Sequence, residues 1–261
     1  MDKAVACDEA LQWLCRGDQA AEHQRVKSSR VSGTLQWLVN SPQFRRWLGD
    51  EHQVLLLTGF PGAGKTTATS MVVDTLLERH GSDDSVGIAF FYSRYDNPSN
   101  NPELIIQSFL YQLVSRLPVV PPALANLYRR FEDHTSPPPL QELLRTISTV
   151  IASMKKVYLV VDALDELSSS HRRTLLPELF GLQNTLQVCL FATSRSVPEI
   201  ESRFTPFPSL NIGHEVGRTS AEDNLNEYLD QRMALMPGFI RNSSEVQAQV
   251  RAKVREASFG S

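Results

Sequence analysis

The chain has 261 residues, 41% apolar and 21% charged, enough for one large domain or one domain with a smaller appendage, and too apolar to be disordered as a whole. Its 26 Lys and Arg against 29 Asp and Glu leave a net charge of -3, so no bulk positive field exists to hold nucleic acid or an anionic membrane. Three cysteines, Cys7, Cys15 and Cys189, are too few and too scattered for a disulfide framework or a metal knuckle, which points to a reduced, cytoplasmic setting. Acidic residues interrupt the N-terminal segment, so it does not read as a secretion signal, and no apolar run approaches the roughly 18 residues that span a bilayer.

In chain order, Asp8 to Gln19 and Thr34 to Leu48 carry helical apolar spacing ahead of a first short apolar run, Val54 to Thr58. A glycine-rich turn leads into a helical pattern over Thr66 to Arg79, then an aromatic run from Val86 to Ser93 and a second helix over Pro102 to Leu117. Prolines punctuate Pro118 to Pro139, an excursion with one amphipathic helix over Leu124 to Phe131. Helix Leu140 to Ser153, strand Val157 to Val161, helix Arg172 to Leu182, strand Val188 to Thr193 and a weaker strand over Leu210 to Ile212 follow. Ala221 to Met236 and Ser244 to Ala257 are helical with no strand signal.

Short runs that are apolar on both faces are buried parallel strands, and their alternation with helices predicts an α/β fold. The expected architecture is a central, mainly parallel five-stranded sheet with helical flanks at both ends. It divides into an N-terminal helical segment over 1–50, a core over 51–215 and the start of a helical region over 216–261. No internal repeat is visible.

The turn after Val54 to Thr58 reads Gly59-Phe60-Pro61-Gly62-Ala63-Gly64-Lys65-Thr66, matching G-x-x-x-x-G-K-[ST] between a strand and a helix. Backbone N–H groups that converge on a phosphate need unusual φ and close approach, which Gly59, Gly62 and Gly64 supply, with Pro61 and Ala63 between them. Lys65 would reach the β- and γ-phosphates, the Thr66 hydroxyl would ligate Mg²⁺, and Thr67 would touch the α-phosphate, all at a helix N-terminus. With glycine at about 7% of residues, the four defined positions match by chance in roughly one chain in a hundred of this length, and the flanking strand and helix lower that.

Val157 to Val161 ends in Asp162, followed by Ala163-Leu164-Asp165-Glu166. A carboxylate at the C-terminal tip of a central parallel strand lies where such sheets open, so Asp162 is the second candidate for the Mg²⁺ shell. Two further carboxylates within four residues are costly without a cation, and Glu166 is the candidate base for an attacking water; capping of the next helix is the plain alternative. Val188 to Thr193 continues into Ser194-Arg195, where the guanidinium could read a γ-phosphate or simply be solvated. Phe90-Phe91-Tyr92 reads as buried strand, with Arg94 and Asp96 beyond it within reach of a nucleotide edge. The six histidines, His23, His52, His80, His134, His171 and His214, show no zinc-binding spacing. Ser168-Ser169-Ser170 reads as a loop or helix cap.

Taken together, GFPGAGKT at 59–66, VYLVVDALDEL at 157–167 and FATSR at 191–195 resemble the NACHT class of STAND P-loop NTPases. RVSGTLQWLVNSPQFRRWL at 30–48, with Gly33, Thr34, Trp37, Phe44 and Trp47, is similar to the segment before the P-loop in the nephrocystin-like N-terminal domains of fungal NOD-like receptors. The resemblance implies ATP or ADP with Mg²⁺, weak ATPase activity, and a slow switch that couples nucleotide state to self-association or to NOD-like-receptor signalling partners. It assigns Lys65, Thr66, Asp162, Glu166 and Arg195 the roles argued above, places Gly33 and Thr34 near the adenine, and sets one strand, filled by Val86 to Ser93, between the two nucleotide motifs. Such proteins continue into a winged helix and repeats. Here the final helix resembles only the start of that region, so an incomplete lid is expected. Two other readings stay open, a nucleotide-binding interaction module or truncated receptor remnant with little or no hydrolysis, and a small-molecule or nucleoside kinase.

Overall fold

The computed structural model describes residues 3–14, 18–30, 35–49, 53–93, 100–131, 138–212, 229–230, 233, 236–241 and 243–259. Four helices precede the first strand: α1 (Lys3–Leu14), α2 (Gln19–Ser29), α3 (Gln36–Asn40) and α4 (Pro42–Gly49). Then come β1 (Val54–Thr58), α5 (Lys65–His80), β2 (Val86–Tyr92), α6 (Pro102–Val114), α7 (Pro122–Phe131) and α8 (Leu140–Ala152). The core closes with β3 (Lys156–Asp162), α9 (Ser169–Thr185), β4 (Val188–Ser194), α10 (Pro198–Phe204) and β5 (Ser209–Asn211), and two more helices span Gly238–Arg241 and Ser244–Phe259.

The five strands form one parallel sheet in the order β2-β3-β4-β1-β5. β1 to β4 are buried along almost their whole length because successive side chains enter two different cores. On one face Leu56, Phe91, Leu159 and Leu190 meet the helices α1 and α6 to α10. On the other, Leu57, Phe90, Tyr158 and Phe191 meet the helices between α2 and α5. The result is the three-layer α/β architecture of a P-loop NTPase. β4 enters between β1 and β3, so the phosphate-loop strand and the Asp162 strand are not neighbours. The expectation that Val86 to Ser93 separates the two motifs therefore holds along the chain only. In the sheet β2 lies at the edge beyond β3, and β4 takes the intervening place because a parallel crossover can return to either side.

Two sequence expectations for the leading helices need correction. The expected helix over Asp8 to Gln19 does not continue through Asp18, whose non-helical backbone caps a second helix, α2, by accepting from the Ala21 N–H at 2.8 Å. The helix over Thr34 to Leu48 breaks at Ser41, whose backbone is extended (φ -64°, ψ 143°) because Pro42 follows it. Its hydroxyl accepts from the Phe44 N–H at 3.1 Å and starts α4. Ser168 likewise caps α9, which begins three residues before the Arg172 expected from apolar spacing, and α10 was not foreseen. The expected helix over Ala221 to Met236 lies largely outside the described residues, as do Gly33, Thr34, Arg94, Asp96, His52, His134 and His214. No helix among the described residues is long and apolar enough to cross a membrane, and Cys189 is a buried free thiol.

The break at Ser41 aims α4 at the sheet. Trp47, 1% exposed, packs edge-on to Tyr158 and Phe191 and donates its indole N–H to the Leu190 carbonyl at 3.0 Å. Tyr158 Oη in turn donates to the Leu48 carbonyl at 2.8 Å. Trp47→Ala is expected to cost about 3–5 kcal/mol in urea denaturation and Trp47→Phe clearly less; a loss below about 1 kcal/mol for the alanine variant would refute this anchoring.

Candidate functional site

The site lies at the C-terminal edge of the sheet, where β1, β3 and β4 end side by side. Thr58 closes β1, and Gly59, buried, donates its N–H to the Ser194 carbonyl of β4 at 3.3 Å. Phe60 to Gly64 then turn back, with Ala63 N–H bonded to the Phe60 carbonyl at 3.2 Å and Pro61 and Gly62 exposed at the tip. Gly62 (φ 79°) and Gly64 (φ 91°) occupy the left-handed region, which a side chain would strain. Gly64 leads directly into α5, so the free N–H groups of the first turn and the positive end of the helix dipole belong to Lys65, Thr66 and Thr67. The loop has the backbone that a phosphate cradle requires.

Lys65 folds its ammonium back over the loop, donating to the carbonyls of Gly59 at 2.9 Å and Phe60 at 3.0 Å. Partial burial pulls its pKa below the ordinary lysine range, and Arg195 pushes the same way, while the charges of Asp165, Asp162 and Glu166 oppose the shift. The charges of Asp162, Asp165, Glu166 and Arg195, all nominated from sequence, thus act on the Lys65 ammonium.

Asp162 is 1% exposed at the end of β3. Its Oδ2 accepts from the Thr66 hydroxyl at 2.7 Å, and its Oδ1 accepts from Thr69 and Thr193, each at 2.7 Å. Thr69 Oγ1 also lies 3.1 Å from the Lys65 carbonyl, so its single proton goes to the closer carboxylate. Burial pushes the Asp162 pKa up, against three hydroxyl donors and the Lys65 ammonium, which all favour the carboxylate. Neither Thr69 nor the clamping role of Thr193 was singled out from sequence. The available signal was Thr69 one helical turn beyond Thr66, on the same face of α5.

After Asp162 the chain makes a left-handed step at Ala163 (φ 53°, ψ 56°), a conformation that costs an alanine about 1–2 kcal/mol. Thr193 Oγ1 holds it by accepting the Ala163 N–H at 2.8 Å. Leu164–Glu166 then form one tight 3-10 turn, with the Glu166 N–H on the Ala163 carbonyl at 2.9 Å. Asp165, 5% exposed at its side chain, accepts the Arg195 backbone N–H at 2.8 Å and its Nε at 2.5 Å. Burial alone would raise the Asp165 pKa, but the two bonds and the charge of Arg195 bring it below the usual carboxylate range. Arg172 of α9, another residue not singled out from sequence, supports the turn from behind by donating to the carbonyls of Leu167 at 2.5 Å and Asp165 at 3.3 Å. Glu166 is half-buried on this turn.

Among the described residues no cluster of three or more His, Cys, Asp and Glu could hold a metal by itself. The adjacent Thr66 hydroxyl and Asp162 carboxylate are hard oxygen donors. They fit an Mg²⁺ that takes one or two protein ligands and completes its shell with phosphate and water.

The clamp on Asp162 gives a stability prediction. Thr193→Val keeps the shape but removes the donor to Asp162 and the acceptor of the Ala163 N–H, and is expected to cost about 2–4 kcal/mol, whereas Thr193→Ser should cost about 1 kcal/mol. Urea unfolding curves decide this; a valine variant within about 0.5 kcal/mol of the parent would show that the hydroxyl does not hold the turn.

Residues 33–195 match the model of the family described as nephrocystin 3, N-terminal. The vegetative incompatibility protein HET-E-1 of Podospora anserina is 26% identical over 225 residues, covering 80% of this chain and 16% of that protein. The chain therefore spans under a fifth of the length of that curated relative. Among solved structures, the Aeropyrum pernix ORC1 protein in complex with DNA is 18% identical with a TM-score of 0.46, over 82% of this chain and 50% of that one. Cdc6p from Pyrobaculum aerophilum is 14% identical with a TM-score of 0.45, over 76% of this chain and 50% of that one. With its glycine-rich loop, its acidic strand end and a family match across most of the core, the chain belongs to the nephrocystin 3 N-terminal family and carries a NACHT-like, nucleotide-binding P-loop NTPase domain.

Proposed function

We propose that the chain is a regulatory NTPase switch that binds ATP or ADP with Mg²⁺, hydrolyses slowly, and couples its nucleotide state to self-association or to a signalling partner. The observation that carries this reading is the contact between Thr66, at the start of α5, and the buried Asp162, which joins the phosphate loop to the acidic strand end. The relative's part in vegetative incompatibility fits a signalling switch.

In this reading the N–H groups of Lys65, Thr66 and Thr67, with those of Gly62 and Gly64 ahead of them, bind the phosphates, and the Lys65 ammonium exchanges the Gly59 and Phe60 carbonyls for β- and γ-phosphate oxygens. Thr66 and Asp162 would hold Mg²⁺, which neutralises developing charge on the phosphates. Glu166, set on a turn that Ala163, Thr193 and Arg172 keep in one shape, takes a proton from the attacking water. Arg195 is half-exposed and tied to Asp165, so its guanidinium can leave that carboxylate for a γ-phosphate and report which nucleotide is bound.

Lys65→Ala is expected to lose nucleotide affinity by a factor of about 100 or more, measured by calorimetric titration of ATP with Mg²⁺. Equal affinity in the two proteins would sink the proposal. Glu166→Gln is expected to bind as the parent does and to lose about 100-fold or more in turnover, in a phosphate-release assay. Binding without any turnover in the parent would instead leave a nucleotide-binding interaction module.

A further inference from the structure

Helix α2 meets the core through Val26, through the ring of His23 against Phe90 and Tyr92, and through a stripe of polar groups. Only His23 and Val26 among its side chains are buried, and an isolated helix of 11 residues is marginal in water, so its place depends on these contacts. Gln19 Oε1 accepts the backbone N–H of Tyr92 at 2.7 Å. One turn on, His23 stands between two elements, with Nδ1 2.8 Å from Tyr92 Oη and Nε2 3.2 Å from Asp74 Oδ1. After another turn the Lys27 ammonium lies 2.8 Å from the same Asp74 oxygen, and Arg30, just past the helix, lies 2.8 Å from Oδ2. The positions 19, 23, 27 and 30 form one face, and that face is the seam with α5 and β2.

The titrating groups in this seam have unequal freedom. Asp74 and Tyr92 are the titratable side chains that α5 and β2 turn towards His23, and Lys27 and Arg30 add two positive charges from α2 and its C-terminal cap. The single charge of Asp74 already faces two cations, so a proton on His23 would set three cations against one buried carboxylate. It would also give Nδ1 a hydrogen, so that the ring would donate to Tyr92 Oη and the hydroxyl would have to turn its own proton to the neighbouring Ser70. The neutral ring, protonated on Nε2, satisfies both neighbours: Tyr92 O–H donates to Nδ1, and Nε2–H donates to Asp74.

We propose that α2 is a pH-operated latch on the domain, docked on α5 and β2 while His23 is neutral and released when His23 takes up a proton. The latch ends on Tyr92, the strand neighbour of Asp162, and on the helix that begins at Lys65. Release would uncover Asp74 and the Tyr92 hydroxyl and free the strand end beside Asp162. The inference stands apart from the nucleotide reading and survives if that reading fails.

Burial lowers the His23 pKa from its ordinary 6.5, Lys27 and Arg30 act in the same direction, and Asp74 opposes them. A depressed imidazole pKa means that the released helix binds the proton more readily than the docked one. Docking is therefore at full strength above pH 6.5 and weakens below it. The loss is up to about tenfold per pH unit until the docked pKa is passed.

Amide hydrogen exchange on the full chain, corrected for the intrinsic effect of pH and followed from about pH 7.5 to about pH 5.5, reads the latch directly. Protection over residues 19–30 should fall several-fold, to a ceiling of about tenfold, while β3 and β4 keep theirs. In His23→Gln the side-chain amide can still donate to Asp74 and accept from Tyr92 but cannot titrate, so α2 should stay docked and lose its pH response. Should that variant be undocked at every pH, ¹⁵N spectra of the parent decide. The His23 ring must be neutral and Nε2-protonated at about pH 7.5, and must titrate in step with the loss of protection. Constant protection of α2, a fall shared with β3 and β4, a pH response retained in a docked His23→Gln, or a ring already charged at about pH 7.5 would each overturn the proposal.

Discussion

A carboxylate enclosed as fully as that of Asp162 is costly unless its lone pairs are met, and in this chain three hydroxyls from two other elements meet them. Thr66 and Thr69 come from α5 and Thr193 from β4, so one side chain locks the helix after the phosphate loop to the two central strands. The lock depends on the strand order. Because β4 lies between β1 and β3, the end of β4 is beside Asp162 and the phosphate loop opens on its other side.

The rest of the site is assembled outward from that lock. Thr193 uses one hydroxyl twice, donating to Asp162 and accepting from Ala163, and so holds the left-handed step that a non-glycine residue would otherwise avoid. The step sets the direction of the turn that carries Asp165 and Glu166. Asp165 then binds Arg195 on the strand end just past Thr193, which closes a ring of contacts from β3 to β4 and back. Strain at Ala163, burial of Asp162 and the exposed Arg195 are thus parts of one arrangement, with the enclosed groups inside and the half-exposed guanidinium at the rim.

Much of the core is legible in the amino-acid order. Val54 to Thr58 is both the expected and the observed first strand, and the other strand limits differ by one or two residues, because runs buried on both faces leave an unbroken apolar signature. The phosphate loop is legible for a different reason, since left-handed backbone at Gly62 and Gly64 demands glycine. The leading helices are less so. Asp18 and Ser41 interrupt otherwise helical apolar spacing with caps that depend on a single oxygen and, at Ser41, on the following proline. Helix α2 was missed because much of its contact is polar, and a stripe of Gln, His, Lys and Arg has the spacing of any solvated helix.

By itself the sequence determined the class of fold, the loop built to meet phosphate and the identity of the acidic strand end, because each rests on local backbone demands or on a run of neighbouring residues. Only the tertiary structure decided which strands lie side by side, that Thr69 and Thr193 share Asp162 with Thr66, that Asp165 takes Arg195, and that Asp74 anchors α2. The pairings around Asp162 and Asp165 join residues 30 to 96 positions apart, at distances of 2.5–2.8 Å. Nothing in local spacing encodes them, since they arise when the crossover helices bring distant strand ends to one edge of the sheet.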